Sequence, residues 1–116
     1  MNKRRRGSQG ERIAVDFLEK KGYRVLQQNY RYERGEIDII ANDGDILVFI
    51  EVKTRRTTQF GEPIEAVTES KQKQIRKVAD GYLFEHEVED TKCRFDVVSI
   101  LLTNGNPEIE HYIDAF

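Results

Sequence analysis

Glu51 and Lys53 stand two residues apart at the end of an apolar run, and Asp38 precedes Glu51 by thirteen positions. The run Ile46 to Lys53 reads as a strand that is apolar on both faces. Val48, Ile50 and Val52 line one side, and Leu47 and Phe49 line the other. Such a strand is covered on both faces. Side chains alternate with period two, so Glu51 and Lys53 continue the Leu47–Phe49 face. Two opposite charges therefore project at the end of a buried strand. Burying a charge is costly unless it is compensated, here by a mutual ion pair, a metal or a ligand.

The preceding hairpin brings in the second acid. Asn42-Asp43-Gly44-Asp45 carries Asp-Gly, a strong two-residue turn signal. With Asp43-Gly44 as the loop, Asn42 faces Asp45, Asp38 faces Phe49 and Glu36 faces Glu51. Asp38 then shares the face of Glu51 and Lys53 and is a diagonal neighbour of Glu51, about 7–8 Å away between backbones. No basic residue occurs between positions 35 and 51, so the carboxylates repel one another. A hard divalent cation, Mg²⁺ (or Mn²⁺), would bridge them through oxygen ligands while keeping several waters. Lys53 beside it can orient or activate a water, or stabilise charge building up on a phosphate. Glu36 rivals Asp38 by register alone, and a bulge would change the parity. A plain Glu51–Lys53 or Glu36–Lys53 ion pair is the simpler alternative.

Several residues are placed to support such a site. Glu11 lies on the apolar side of a first helix, with Ala14 and Leu18 at i+3 and i+7. It either closes a capping box with Ser8 or supplies a third carboxylate to the metal. A second helix carries Lys71, Lys73, Arg76 and Lys77. Lys71 and Gln74 are near its inward edge, while Lys73 and Lys77 face outward. These are solvated charges or phosphate contacts. Arg55 and Arg56 follow the Glu-x-Lys directly and are expected at its mouth. Tyr30 and Tyr32 alternate with Arg31 and Arg34, a pattern that can stack on bases but also packs. His86 and His111 lack metal-ligand spacing and read as structural. Cys93 has no catalytic partner and reads as packing.

The elements that must hold these residues form one α+β domain over 1–116. The expected order is α-β-β-β-α-β-β: a helix from Ser8 to Lys21, strands Tyr23–Tyr30, Glu36–Ala41 and Ile46–Thr54, a helix Glu69–His86, and strands Arg94–Leu102 and Glu108–Ile113. Residues 1–7 are basic and expected to be frayed. With 116 residues the chain suits one core rather than two. An apolar content of 38% is too high for a disordered chain. The lone cysteine excludes an intramolecular disulfide and suits a reducing compartment. No apolar run is long enough to span a bilayer or serve as a signal peptide, so a cytoplasmic protein is expected.

The net charge of −2 conceals blocks. Residues 1–34 carry +6, 35–51 carry −5, 52–78 carry +4 and 79–116 carry −7. Two basic segments thus flank the acidic one, and an acidic protein can still present a local basic surface to a polyanion.

Gly35-Glu36-Ile37-Asp38-Ile39-Ile40-Ala41 followed by Val48-Phe49-Ile50-Glu51-Val52-Lys53-Thr54-Arg55 resembles the PD-(D/E)xK nuclease signature. The nearest likeness is to the bacterial YraN-like family of endonuclease-like proteins, which is similar to archaeal Holliday-junction resolvases. It extends through Gly10-Glu11, Phe60-Gly61-x-Pro63, the Lys71–Tyr82 helix and Arg94-Phe95-Asp96-Val97-Val98, and so covers nearly the whole chain. Ile37 replaces the proline of the motif's name. The resemblance implies a restriction-endonuclease-like mixed sheet flanked by helices. By position it implies Asp38 and Glu51 as metal-binding carboxylates, Lys53 as catalytic lysine, Glu11 as the helix carboxylate of resolvase relatives, and Lys71 or Gln74 in a fourth motif.

Three functions compete on these grounds. The first is a Mg²⁺-dependent DNA endonuclease, with the backbone held by Lys3 to Arg6 (Arg5 and Arg6 among them), Arg55, Arg56 and the second helix. It would act on branched or junction-like DNA in repair or recombination, and a homodimer would suit paired cuts. The second is a nucleic-acid-binding module that recruits a repair or recombination protein without cutting. The third is a protein-interaction domain that docks through its acidic tail.

Overall fold

The computed structural model describes residues 8–56 and 67–116. Their order is α1 (Ser8–Lys20), β1 (Arg24–Tyr32), β2 (Gly35–Asp43), β3 (Ile46–Arg55), α2 (Glu69–Glu85), β4 (Cys93–Leu101) and β5 (Glu108–Tyr112). This is the expected α-β-β-β-α-β-β sequence, with strand ends moved by one or two residues. The basic run that includes Arg5 and Arg6, and the Phe60-Gly61-x-Pro63 segment, lie outside the described residues. No helix among the described residues is long and apolar enough to cross a membrane.

The five strands form one mixed sheet in the order β1-β2-β3-β4-β5. β3 and β4 are parallel, and the other neighbours are antiparallel. The parallel pair follows from α2, because a parallel return needs a crossover long enough to hold a helix. α1 covers one face of the sheet. Its Ala14 and Leu18 pack with Ile39, Ala41, Val48, Ile50, Val98 and Ile100. α2 covers the other, where Ile75, Val78, Ala79 and Tyr82 pack with Ile37, Ile40, Leu47, Phe49 and Val97. β3 is therefore buried on both faces, divided between them as its sequence requires.

The β2–β3 register differs from the expected one by two residues. Asp43 pairs with Ile46 and Ile39 with Ile50, so the loop is Gly44-Asp45 rather than Asp43-Gly44. Gly44 has φ 63°, while neither Asp43 nor Asp45 has a positive φ. One positive φ at the first loop position fits a type II′ turn with glycine there. A type I′ turn on Asp43-Gly44 would have needed two. A shift of two preserves which face each residue occupies. The ladder ends at Ile39 and Ile50, one residue short of Asp38 and Glu51.

Alternation breaks once in β2, at the position that matters most. Ile37 packs on the α2 side and Ile39 on the α1 side, although they are two apart. In β1, Gln28 pairs with Ile39 and Tyr30 with Ile37, which places Asn29 across from Asp38. Asn29 has φ 53°, a left-handed conformation that asparagine tolerates better than most residues. The kink removes Glu36 from the face it would share with Asp38 in a regular strand.

Candidate metal centre

Asp38 and Glu51 meet where the β2 kink faces the end of β3. Asp38 Oδ2 accepts the backbone N–H of Val52 at 2.7 Å. Burial pushes the Asp38 pKa up to about 8, and the Glu51 charge adds to the rise, with a smaller contribution from Glu11. The Val52 N–H opposes it. Burial beside the Glu51 charge thus favours the protonated form of Asp38.

Glu51 is only 8% exposed. Its Oε2 lies 3.5 Å from Lys53 Nζ and 3.8 Å from Lys71 Nζ. Lys71 enters from the first turn of α2, which Thr68 caps by accepting the Lys71 N–H at 3.2 Å. The cap fixes where the helix begins and so where Lys71 projects. Lys71 stands beside Lys53 on the same carboxylate oxygen. Asp38, Glu51 and Lys53 are brought together as the sequence predicts.

Glu11 reaches the same region from α1. Gly10 permits the approach: a Cβ there would lie 1.9 Å from Thr54 Oγ1 at the end of β3. Glu11 does not join the acid pair directly. Asn29 Nδ2 donates to both of its oxygens, at 3.0 and 3.2 Å, and to Glu36 Oε2 at 3.0 Å. Burial raises the Glu11 pKa, Asn29 opposes that, and the charges of Glu36 and Glu51 reinforce it. Glu36 is also 3.5 Å from Arg31. Asn29 is a site residue that sequence reading missed. Its one signal was an asparagine inside a strand, where that residue type is depleted.

Two carboxylates with buried stems and a hydrogen-bonded support are an oxygen donor set that suits Mg²⁺ or Mn²⁺. Among the described residues no group of three or more His, Cys, Asp or Glu side chains gathers to hold a metal. Of the expected set, Asp38 and Glu51 are neighbours at the end of β3, and Glu11 is tied to Asn29. The pair would hold a cation that retains several waters.

The expected nucleic-acid contacts divide. Arg55 is half-buried and Arg56 exposed, both just past the Glu-x-Lys. Gln74 is exposed beside Gly35, and Lys77 is exposed and paired with Glu33 at 3.5 Å. Arg76 does not face the site; its guanidinium lies over the rings of Phe95 and Phe116. Tyr30 is core, edge-to-face with Tyr82. Cys93, expected to pack, is exposed.

A second polar cluster is structural. Asp96 is fully buried and accepts two hydrogen bonds from Arg94, at 2.9 and 3.0 Å, one from the Asp114 N–H at 3.0 Å and a contact from His111 Nε2 at 2.7 Å. Burial alone would raise the Asp96 pKa; the bonds from His111, Arg94 and Asp114 outweigh it and hold it low. Arg94 continues to Asp43 and Tyr23. His111 is thus a structural histidine, as its isolation in the sequence suggests. His86 stacks on Tyr82.

Residues 10–100 match the Uncharacterised protein family UPF0102. A UPF0102 protein of Chlorobium limicola is 50% identical, over 95% of this chain and 90% of its own length. One from Dictyoglomus thermophilum is 45% identical over the whole of both chains. One from Geotalea daltonii is 51% identical over 95% of this chain and 87% of its own. Matched across most of its length at about half identity, the chain belongs to the UPF0102 family.

Proposed function

We propose that this protein is a metal-dependent endonuclease of PD-(D/E)xK type that hydrolyses phosphodiester bonds of branched or junction-like DNA in repair or recombination. The observation that carries the reading is the tie of Asp38 to the Glu51-Val52-Lys53 segment through the Val52 N–H, with Lys53 on the Glu51 oxygen. Asp38 and Glu51 would hold Mg²⁺ or Mn²⁺. A bound divalent cation lowers the pKa of water and offsets charge on a phosphoryl group. Asp38 releases its proton on binding, since a carboxylate must be ionised to act as a ligand. The Val52 N–H orients the Asp38 oxygen. Lys53 and Lys71, relieved of pairing with Glu51, turn their ammonium groups to the phosphate. Arg55 and Arg56 meet the flanking backbone.

One observation favours a second reading. Two lysines balance Glu51 and a proton neutralises Asp38, so the cluster is compensated without a cation. A module of this kind binds DNA, recruits a repair or recombination partner and does not cut. Incubation of labelled DNA with Mg²⁺ or Mn²⁺ and with EDTA decides between them. Metal-dependent nicks support the enzyme; intact DNA that is nevertheless bound supports the module.

A further inference from the structure

A pocket of about 560 Å³ opens between α2 and the β1–β2 turn, lined by Tyr32, Glu33, Arg34, Gly35, Gln74, Lys77 and Val78. Its volume is in the range of small-molecule sites, about 300–1,000 Å³. It lies further along α2 from the acid pair. Lys71, which touches Glu51, Gln74 and Lys77 recur at three-residue steps along α2, a row about 9 Å long at 1.5 Å per residue. Gly35 on the opposite wall begins the strand that carries Asp38.

We propose that this pocket receives one unpaired nucleotide of the DNA strand next to the phosphate held at Asp38 and Glu51. The proposal rests on the nuclease reading for the identity of its ligand and adds the substrate's form. The chemistry of the lining supports it. Arg34 and Lys77 are two cations, and Glu33, 3.5 Å from Lys77, is the one acid. The balance of one positive charge matches one phosphodiester. Tyr32 supplies an aromatic wall. A Cβ on Gly81 would lie 2.4–2.5 Å from three atoms of its ring, so α2 already covers one ring face. The ring is braced there, and Tyr32 lines the pocket. Stacking on an aromatic side chain requires a base freed from its pair, because in a duplex both faces are already stacked. Gln74, exposed on the pocket wall, adds a donor and an acceptor for a base edge. A paired nucleotide cannot enter a pocket of this size without leaving the duplex.

The test is binding in EDTA, so that nothing is cut, of a short labelled single strand and of the duplex of the same length. The single strand is expected to bind more tightly. The double variant Arg34→Ala/Lys77→Ala should lose about tenfold or more in single-strand affinity, and its salt dependence should flatten by roughly 0.7 per residue removed. Tyr32→Leu should lose about tenfold while Tyr32→Phe retains affinity. The double variant changes exposed residues only and remains informative if Tyr32→Leu folds poorly. Unchanged affinity and salt slope in the double variant, or equal binding of duplex, overturns the pocket. Such a result alongside metal-dependent cutting leaves the nuclease standing without the pocket. Selective single-strand binding that fails in the variants, with no cutting in metal, keeps the pocket and removes the nuclease.

Discussion

Asp38 Oδ2 accepts the N–H of Val52 at 2.7 Å, and Val52 is the residue between Glu51 and Lys53. A side chain thus takes a backbone donor of β3 at the point where β2 kinks. The acid of one strand is fixed to the Glu-x-Lys of the next through the main chain, and its position does not depend on a flexible side-chain pair.

This arrangement makes stability depend on pH in an uncommon direction. The Asp38 pKa rises from the ordinary carboxylate range to about 8 on folding. Between about pH 4 and pH 8 the folded form holds a proton that the unfolded chain has lost, so this group's contribution falls as pH rises through that window. Asp38→Asn keeps an acceptor for Val52 and stays neutral. Thermal melts should show a decline in Tm toward pH 8 in the parent that is flattened in Asp38→Asn. Parallel profiles would contradict the buried proton.

The same proton competes with a cation. Mg²⁺ or Mn²⁺ should raise Tm more at pH 8.5 than at pH 6, because a ligand that binds only the folded form stabilises it in proportion to its affinity. Differential scanning fluorimetry across metal concentrations reads the effect. Asp38→Asn should abolish it at both values.

Lys53→Ala removes an ammonium 3.5 Å from the Glu51 carboxylate. Cleavage should fall by about 10²–10³-fold, the range for loss of one charge-stabilising donor. DNA binding should be largely spared. Cleavage at the parent's rate would withdraw Lys53 from the chemistry.

Asn29→Gly keeps the left-handed backbone and deletes the amide between Glu11 and Glu36. The cost should be about 1–3 kcal/mol at neutral pH, the penalty for leaving part-buried acceptors without their donor. It should shrink in acid, where Glu11, its pKa raised by burial, protonates and no longer needs that donor. Urea melts at two pH values measure both.

Asp96→Ala leaves the Arg94 guanidinium buried without its main partner; the arginine side chain is 13% exposed. The expected loss is about 3–5 kcal/mol. In the parent the low Asp96 pKa gives the opposite slope to Asp38: its stabilisation is present above the ordinary carboxylate range and is lost as pH falls through its lowered value.

Periodicity was enough to place seven elements, to find that β3 is buried on both faces and to bring Asp38 to Glu51 and Lys53. It located the hairpin but not its loop, because Asn42-Asp43-Gly44-Asp45 admits two positions for the glycine and only the backbone φ at Gly44 chooses between them. It could not anticipate the kink at Asp38, which depends on Asn29 across the ladder, a partner fixed only once β1 and β2 pair. Lys71 was legible as a basic residue near an inward edge. That it reaches Glu51 follows from how α2 is set down on the sheet, which local pattern does not encode. Arg94 and Asp96 are two residues apart on β4, but His111 joins them only when β4 and β5 pair.

The measurement that bears most directly on the central claim is cleavage of a panel of labelled DNAs, namely duplex, single strand, flap and four-way junction, in Mg²⁺ or Mn²⁺ with an EDTA control. The parent, Glu51→Gln and Asp38→Asn should be run side by side, each confirmed folded by its melt. The account predicts metal-dependent cutting by the parent, strongest where unpaired nucleotides adjoin a junction, and its loss in both variants. No cutting of any member by parent protein that binds the panel, or cutting that survives in both variants, would contradict it.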